Sequence, residues 1–308
     1  ELESGQMVNT FPTKNLSVPV DKNAVIENGI VPAEDIDKVK DTVHIKLTNN
    51  IIYKNRLLML DVLANVDWKR PIYFTGGSYS DGDYLWLKDH LQLDGMVYKL
   101  VPIQTENKSD FEMGRIDTDE MYDIVMNWQW GNSGTDKIYH DRETRKNSIT
   151  YRSNMARLAE KLIKEGKKEK ALNVLNLAME KMPVKHFQQY TLIEPFISGY
   201  YKLNKPEKAR KIWNQIAEIY QSRLDYYSSF RQDEQYGIAG RILTDIERYR
   251  SLVDLIIIHD EESVSKEKAA EFNDYLMLFD HFTGAGEQQE GEELLKQLNK
   301  EPQVDTIG

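Results

Sequence analysis

The chain has 308 residues, of which 40% are hydrophobic and 29% charged, the balance of an ordinary soluble globular protein with room for two domains and two cores. A formal net charge of -10 disfavours a broad nucleic-acid surface, which needs clustered Lys and Arg. The lack of cysteine excludes a disulfide framework and thiolate metal sites, and no run approaches the roughly 20 apolar residues needed to span a bilayer.

Glu1-Leu2-Glu3-Ser4-Gly5 has neither the basic nor the apolar region of a signal peptide, and it reads as the start of a segment of a longer protein. Residues 1–40 are turn-rich and form an irregular segment expected to pack on the domain that follows. Within them, Asn15 to Val20 alternates like an edge strand carrying Pro19, and Pro32-Ala33-Glu34-Asp35-Ile36 opens like a helix with proline in its first turn. Thr42 to Leu47 alternates strictly, as a strand does. The helix-like block Ile51–Ala64 is followed by the apolar run Pro71–Thr75, then Gly76-Gly77-Ser78, then a second amphipathic block, Tyr84–Leu91, and finally the run Met96–Ile103. The pattern predicts a small β-α-β-α-β domain over 41–130, with strands near 42–47, 71–75 and 97–103 and right-handed crossovers if they are parallel. Residues 104–117 read as a loop, and Asp117–Met126 as a helix with acidic residues in its first turn.

After a linker at 131–148 the pattern becomes helical to residue 300. Ala156, Leu158, Ala159, Leu162 and Ile163 make one stripe. Gly166 breaks it, and Ala171, Leu172, Val174, Leu175, Ala178 and Met179 make the next, ended by Pro183. Small residues, turn glycine and terminal proline match the tetratricopeptide pattern of about 34 residues. Phe196, Tyr200 and Leu203, a turn at Asn204-Lys205-Pro206, and then Ala209, Trp213, Ile216 and Ala217 repeat it more loosely. Further helices are expected at 234–259, 264–281 and 287–299, with a frayed tail at 301–308. The fold class is therefore α+β overall, a small α/β domain followed by an all-α tetratricopeptide-like array.

Four ordered runs carry a resemblance: Pro12–Val20, Leu58–Asn65, Trp68–Phe74 and Leu91–Ile103. They resemble the C-terminal region of an uncharacterised family of large membrane proteins of Gram-negative bacteria. The N-terminal part of that family is a set of transmembrane helices similar to protein O-mannosyltransferases and other lipid-sugar-dependent glycosyltransferases. The resemblance implies a soluble periplasmic domain, attached to the inner membrane in the full-length protein, with the transmembrane part of the same protein as its partner. The catalytic acid of such transferases lies between membrane helices, so the resemblance carries no catalytic residue onto this chain.

Candidate sites follow from residue chemistry. Gly76, Gly77 and Ser78 lie between a strand and a helix-like block, where backbone N–H groups can hold a phosphate; a plain turn is the bland alternative, since the Walker lysine is missing. Asp81 and Asp83 form an Asp-x-Asp, which in nucleotide-sugar transferases holds a divalent cation, but here they read first as helix caps. Trp128 and Trp130 sit beside a glycine loop and suit sugar stacking, or a core. The six histidines form no i,i+4 pair, and neither a metal site nor a cofactor is expected. Three functions remain. The first is a non-catalytic accessory domain that positions acceptor or partner proteins for a membrane glycosyltransferase. The second is a stand-alone scaffold binding peptide, protein or glycan on the helical array. The third is a small enzyme acting on a phosphorylated or sugar ligand at the strand ends.

Overall fold

The computed structural model describes residues 12–48, 51–78, 80–107, 112–188 and 190–283. The chain divides into two compact units, Glu1–Trp128 and Gln129–Gly308. The expected helix at 287–299 and the tail lie outside the described residues.

The first unit is built on two small sheets. Strand β1 (Asn15–Pro19) pairs antiparallel with β2 (Thr42–Lys46), in a register that sets Asn15 opposite Lys46 and Pro19 opposite Thr42. Alternation along β2 buries Val43 and Ile45 and leaves His44 and Lys46 in water, as a one-sided antiparallel sheet requires. Between these strands run the helix α1 (Lys22–Glu27), whose first N–H groups are taken by the Asp21 carboxylate, and a 3₁₀ turn at Ala33–Lys38. Helix α2 (Lys54–Asn65) follows. The second sheet holds β3 (Tyr73–Thr75), β4 (Leu91–Asp94) and β5 (Val97–Leu100) in the order β3-β5-β4. Helix α3 (Thr118–Met126) is capped by Asp117.

The expected strands are present, but every pair between them is antiparallel, so the crossovers of a parallel sheet do not arise. The reason lies at 84–94. Tyr84, Leu85 and Leu87 are all almost fully buried, but the chain there does not coil into a helix. The block instead forms 3₁₀ turns at Asp81–Tyr84 and Lys88–His90, separated by Leu85 and Trp86 at φ of 54° and 59°. The chain then enters β4 and reverses through Gly95, at φ of 67°, into β5. Asp94 and Val97 face each other across a two-residue loop, for which glycine at the first loop position is the favoured residue.

The second unit is an array of helices. Helix α4 (Arg142–Lys164) begins within the segment expected as linker, because Asp141 caps it. It pairs with α5 (Lys168–Lys181) around the turn at Gly166, where φ is 75°. Leu158, Ala159, Leu162, Ala171, Leu175 and Ala178 are all buried. A short helix α6 (Val184–Phe187) leads to a 3₁₀ turn at Tyr190–Ile193 that continues into α7 (Glu194–Lys202). Gly199 of α7 lies so close to α5 that an added Cβ would meet Leu175 Cδ1 at 3.0 Å. Helix α8 (Pro206–Ser228) pairs with α7, burying Ala209, Trp213, Ile216 and Ala217. The helix expected at 234–259 is broken at Ile238 into α9 (Gln232–Gly237) and α10 (Ala239–His259). Helix α10 packs against α11 (Glu262–Met277), and α12 (Asp280–Thr283) ends the described chain. Three donating side chains lock this end: Trp213 Nε1 donates to Leu252 O at 2.6 Å, and the Arg210 and Tyr201 side chains both donate to the buried Asp260 carboxylate.

Candidate ligand-binding cleft

Where β3 ends, the chain runs through Gly76, Gly77 and Ser78 beneath α2. An open cleft of about 500 Å³ lies there, lined by Met59, Tyr73, Thr75, Gly77, Ser78 and Asp83 among others. Gly77 has φ of 100°, a conformation that favours glycine. The structure therefore brings Gly76, Gly77, Ser78 and Asp83 to one wall.

The polar groups of this wall are already engaged with one another. Ser78 Oγ donates to Asp83 Oδ2 at 2.5 Å, and Arg56 Nη2 donates to Asp83 Oδ1 at 2.8 Å. The Ser78 and Arg56 hydrogen bonds hold the Asp83 carboxyl below the usual aspartate value, which makes it a weak base. Ser80 N donates to Ser78 Oγ, while Ser78 N donates to the Tyr84 hydroxyl, which in turn donates to Ser78 O. The amides of Ser78 and Ser80 are thus spent on the loop itself, and an ionised Asp83 faces the space that a phosphate would occupy. The helix after the loop is a single 3₁₀ turn, whose few peptide dipoles give little of the field of a longer helix. Asp81 and Asp83 do not cap it either: Ser80 holds the cap position and makes no side-chain capping bond. Asp81 instead accepts Trp86 N on its backbone oxygen. Among the described residues no group of three or more His, Asp or Glu is placed to hold a metal ion.

Trp128 and Trp130 fall in different units. Trp128 is half-buried, and Gly95 lies so near its ring that an added Cβ would come within 2.9 Å. The Trp130 ring packs 5.4 Å from that of Tyr151. Each tryptophan thus has protein on one face.

Reading the residues alone missed three charged groups. Arg56 escaped notice because it sits in an apolar block, yet it braces Asp83 and crowds Gly82, where a Cβ would lie 2.9 Å from the guanidinium carbon. Lys99 of β5 is buried to 1% exposure between Asp94 at 3.2 Å and Glu120 at 2.5 Å, and Gln92 opposite it donates to both carboxylates. Arg152 of α4 is fully buried and donates to the backbone carbonyls of Met182 and Gln188. The sequence did hold a signal for Arg152: Ser148, Arg152, Met155, Ala159 and Leu162 share one buried stripe, in which a cation is out of place.

One further feature of the first unit is apolar. Helix α2 is hydrophobic on most of its circumference, and only Leu60 and Leu63 are buried. Leu57, Leu58, Met59 and Val62 are exposed, at 65% for Leu58 and 53% for Val62, together with Ile51, Tyr53 and Tyr73 nearby in the chain or on β3. Met59 and Tyr73 also line the cleft, so the apolar surface runs into it.

Residues 1–120 fit the family model described as TMEM260-associated domain 2. No curated protein and no solved structure matches the chain. No helix among the described residues is long and apolar enough to cross a membrane.

Proposed function

We propose that this chain is a non-catalytic accessory domain of a multi-spanning membrane glycosyltransferase-like protein, in which it positions acceptor or partner proteins. The exposed apolar face of α2 carries the reading. Monomeric soluble proteins rarely leave such a contiguous patch in water, and a large one marks an interaction surface. The family model over residues 1–120 covers this helix and supports a membrane-protein context. The partner that fits is the transmembrane part of the same protein, placed on the periplasmic side of an inner membrane, as the sequence resemblance implies. The cleft at Gly76–Asp83 opens beside the same face and gives the partner a pocket for one side chain or sugar. The engaged, acidic Asp83 suits a positioning group better than a base for hydroxyl activation.

The test is co-purification in detergent of this chain with the separately expressed membrane part of its protein. Wild type is expected to co-purify. Leu58→Asp and Val62→Asp should abolish the association while leaving the circular dichroism spectrum unchanged, because both side chains already face water. Association unaffected by both substitutions would remove α2 from the interface and with it the main support for the reading.

A second reading, the peptide-binding scaffold, has its own observation. In the helical unit a groove of about 330 Å³ is lined by Met179, Pro183, Val184 and Ile212 together with Lys208, Lys211 and Glu180, an apolar surface with more cations than carboxylates that suits an acidic amphipathic peptide. Capture of such a peptide, lost in a Lys208→Glu/Lys211→Glu variant, would favour it.

A further inference from the structure

The second unit holds a small polar pocket of about 180 Å³ that is separate from the groove and from the cleft of the first unit. It is lined by Gln188, Tyr190, Thr191, Tyr220, Arg223 and Arg248. The lining comes from three places: the turn before α7, helix α8 and helix α10. Its shape is fixed from below. Arg152 holds the carbonyl of Gln188, a residue kept at φ of 53°, where a side chain other than glycine is strained by roughly 1–3 kcal/mol. That turn delivers Tyr190 to a T-shaped contact with Tyr220, ring centroids 5.9 Å apart, and beneath the Arg223 guanidinium at 5.5 Å.

The donors of the pocket exceed its acceptors. The Arg248 guanidinium and the Tyr190 and Tyr220 hydroxyls make no hydrogen bond or ion pair with any described residue. Arg152 and Arg145 add positive charge near Tyr190. Two carboxylates face the same region and both are engaged. Asp245 is shared by Arg223 at 3.2 Å and the Tyr227 hydroxyl at 3.2 Å. Glu194 accepts from Ser251, and burial raises its pKa, which works against its negative charge. Four guanidiniums against two occupied carboxylates leave the pocket electropositive. Free donors approaching from several elements suit a tetrahedral oxyanion, which offers oxygens in several directions, better than a planar carboxylate with two. The pocket has room for one such group and none for a nucleotide.

We propose that this pocket binds a phosphate group, either as free inorganic phosphate or as the monoester of a small solute, with Arg248 and Arg223 as the principal ligands and the Tyr190 and Tyr220 hydroxyls as supporting donors. The proposal rests on the helical unit alone and stands whether or not α2 docks on a membrane part.

The experiment titrates inorganic phosphate into the intact chain at pH 7.5 by calorimetry, with acetate as the planar control. Saturable binding at or below about 1 mM is expected, weakening as salt is added. Arg248→Gln should weaken it at least tenfold and Tyr220→Phe by a few-fold, whereas Lys211→Gln, outside the pocket, should leave it unchanged. Arg248 is exposed, so its replacement does not threaten the fold, and the circular dichroism spectrum of each variant checks that. Glycerol phosphate run in parallel separates the two sources: tighter binding than inorganic phosphate assigns the pocket to an ester, and weaker binding to the free anion. No saturable binding by about 10 mM, binding indifferent to Arg248→Gln, or acetate binding as tightly as phosphate would each overturn the proposal.

Discussion

The first unit buries Lys99 beside two carboxylates, Asp94 and Glu120, whereas the second buries Arg152 between two backbone carbonyls and the Phe187 ring, with no carboxylate bound to it. Burial disfavours both cations. At Lys99 the carboxylates outweigh it and raise the ammonium pKa above the usual lysine value. At Arg152 burial goes unopposed by any carboxylate and lowers the guanidinium pKa to about 10. The difference follows from the side chains. A compact ammonium needs concentrated negative charge to leave water, while a planar fork of five N–H donors can satisfy two carbonyls at different angles. The consequence is local. The Lys99 cation is offset by carboxylates within its own cluster, whereas the surroundings of Arg152 keep their positive charge, which is what the neighbouring polar pocket needs in order to hold an anion.

The largest effect is expected where the charge cluster around Lys99 is broken. Lys99→Met leaves Asp94 buried without its cation, and removing one partner of a buried pair costs about 3–5 kcal/mol. Urea unfolding followed by near-ultraviolet circular dichroism should show the first unit losing stability by that amount, and adding Asp94→Asn should restore most of it. A single substitution that shifts the transition by less than about 1 kcal/mol would mean that the three charges are not coupled.

Arg152→Met comes next. It leaves the carbonyls of Met182 and Gln188 without their donors, at about 1–3 kcal/mol for each buried unsatisfied group, so a loss of roughly 2–6 kcal/mol is expected in the second unit. Arg152→Lys keeps the charge and loses the fork, and it should recover less than half. Full recovery by lysine would show that charge, not geometry, holds the turn at Gln188.

Asp260 extends the comparison to an anion in the second unit. Its carboxylate is 1% exposed. Burial would raise its pKa, but hydrogen bonds from Arg210, Tyr201 and Glu261 N outweigh that and hold it at about 2. The folded value lies below the unfolded one, so its stabilisation is complete above the ordinary aspartate value and is lost as pH falls from about 4 through 2. The loss is expected to be roughly 2 kcal/mol. Asp94 runs the other way: burial raises its pKa, so protonation on acidification relieves a cost. Acid unfolding of Asp260→Asn should lack the component between about pH 4 and 2, and an unchanged profile would exclude Asp260 as its source.

The legibility of the sequence divides along the same physical line. Periodicity reports which face of an element is apolar, and so strand β2, the α4–α5 hairpin and the helix ending at Met126 could be read directly, although Asp117 proves to be its cap and not its first residue. It does not report pairing direction. Tyr84–Leu91 looked helical because its apolar residues are dense, yet that density came from burial on all sides, and the Asp94-Gly95 turn was the available sign of a hairpin. The candidate residues split likewise. Glycines and acids with a recognisable spacing drew attention to Gly76–Asp83, where the structure shows a self-satisfied wall. Arg223, Arg248 and Tyr220 come together only through the packing of α8 against α10 and the strained turn at Gln188, and no local spacing encodes that.

Arg56 supplies the smallest effect and the far end of the comparison, a cation that needs little help because water still reaches it. Its side chain is 24% exposed and that of its partner Asp83 is 48%, so the pair is screened and contributes little to stability. Arg56→Gln should leave the urea midpoint of the first unit unchanged within error. Its effect belongs on the Asp83 proton. The Ser78 hydroxyl is the larger cause of the lowered Asp83 pKa and Arg56 the second. Carbon-13 titration of the Asp83 carboxyl should therefore move upward in Arg56→Gln, move further in Ser78→Ala, and return to the ordinary aspartate range only when both are replaced. If Arg56→Gln alone gave the whole shift, the wall of the cleft would be an ion pair with a passive serine, and a ligand carrying its own cation would compete for Asp83. If Ser78→Ala gives the greater part, the carboxylate is held by the loop itself, and the cleft presents a fixed negative wall to whatever docks beside α2.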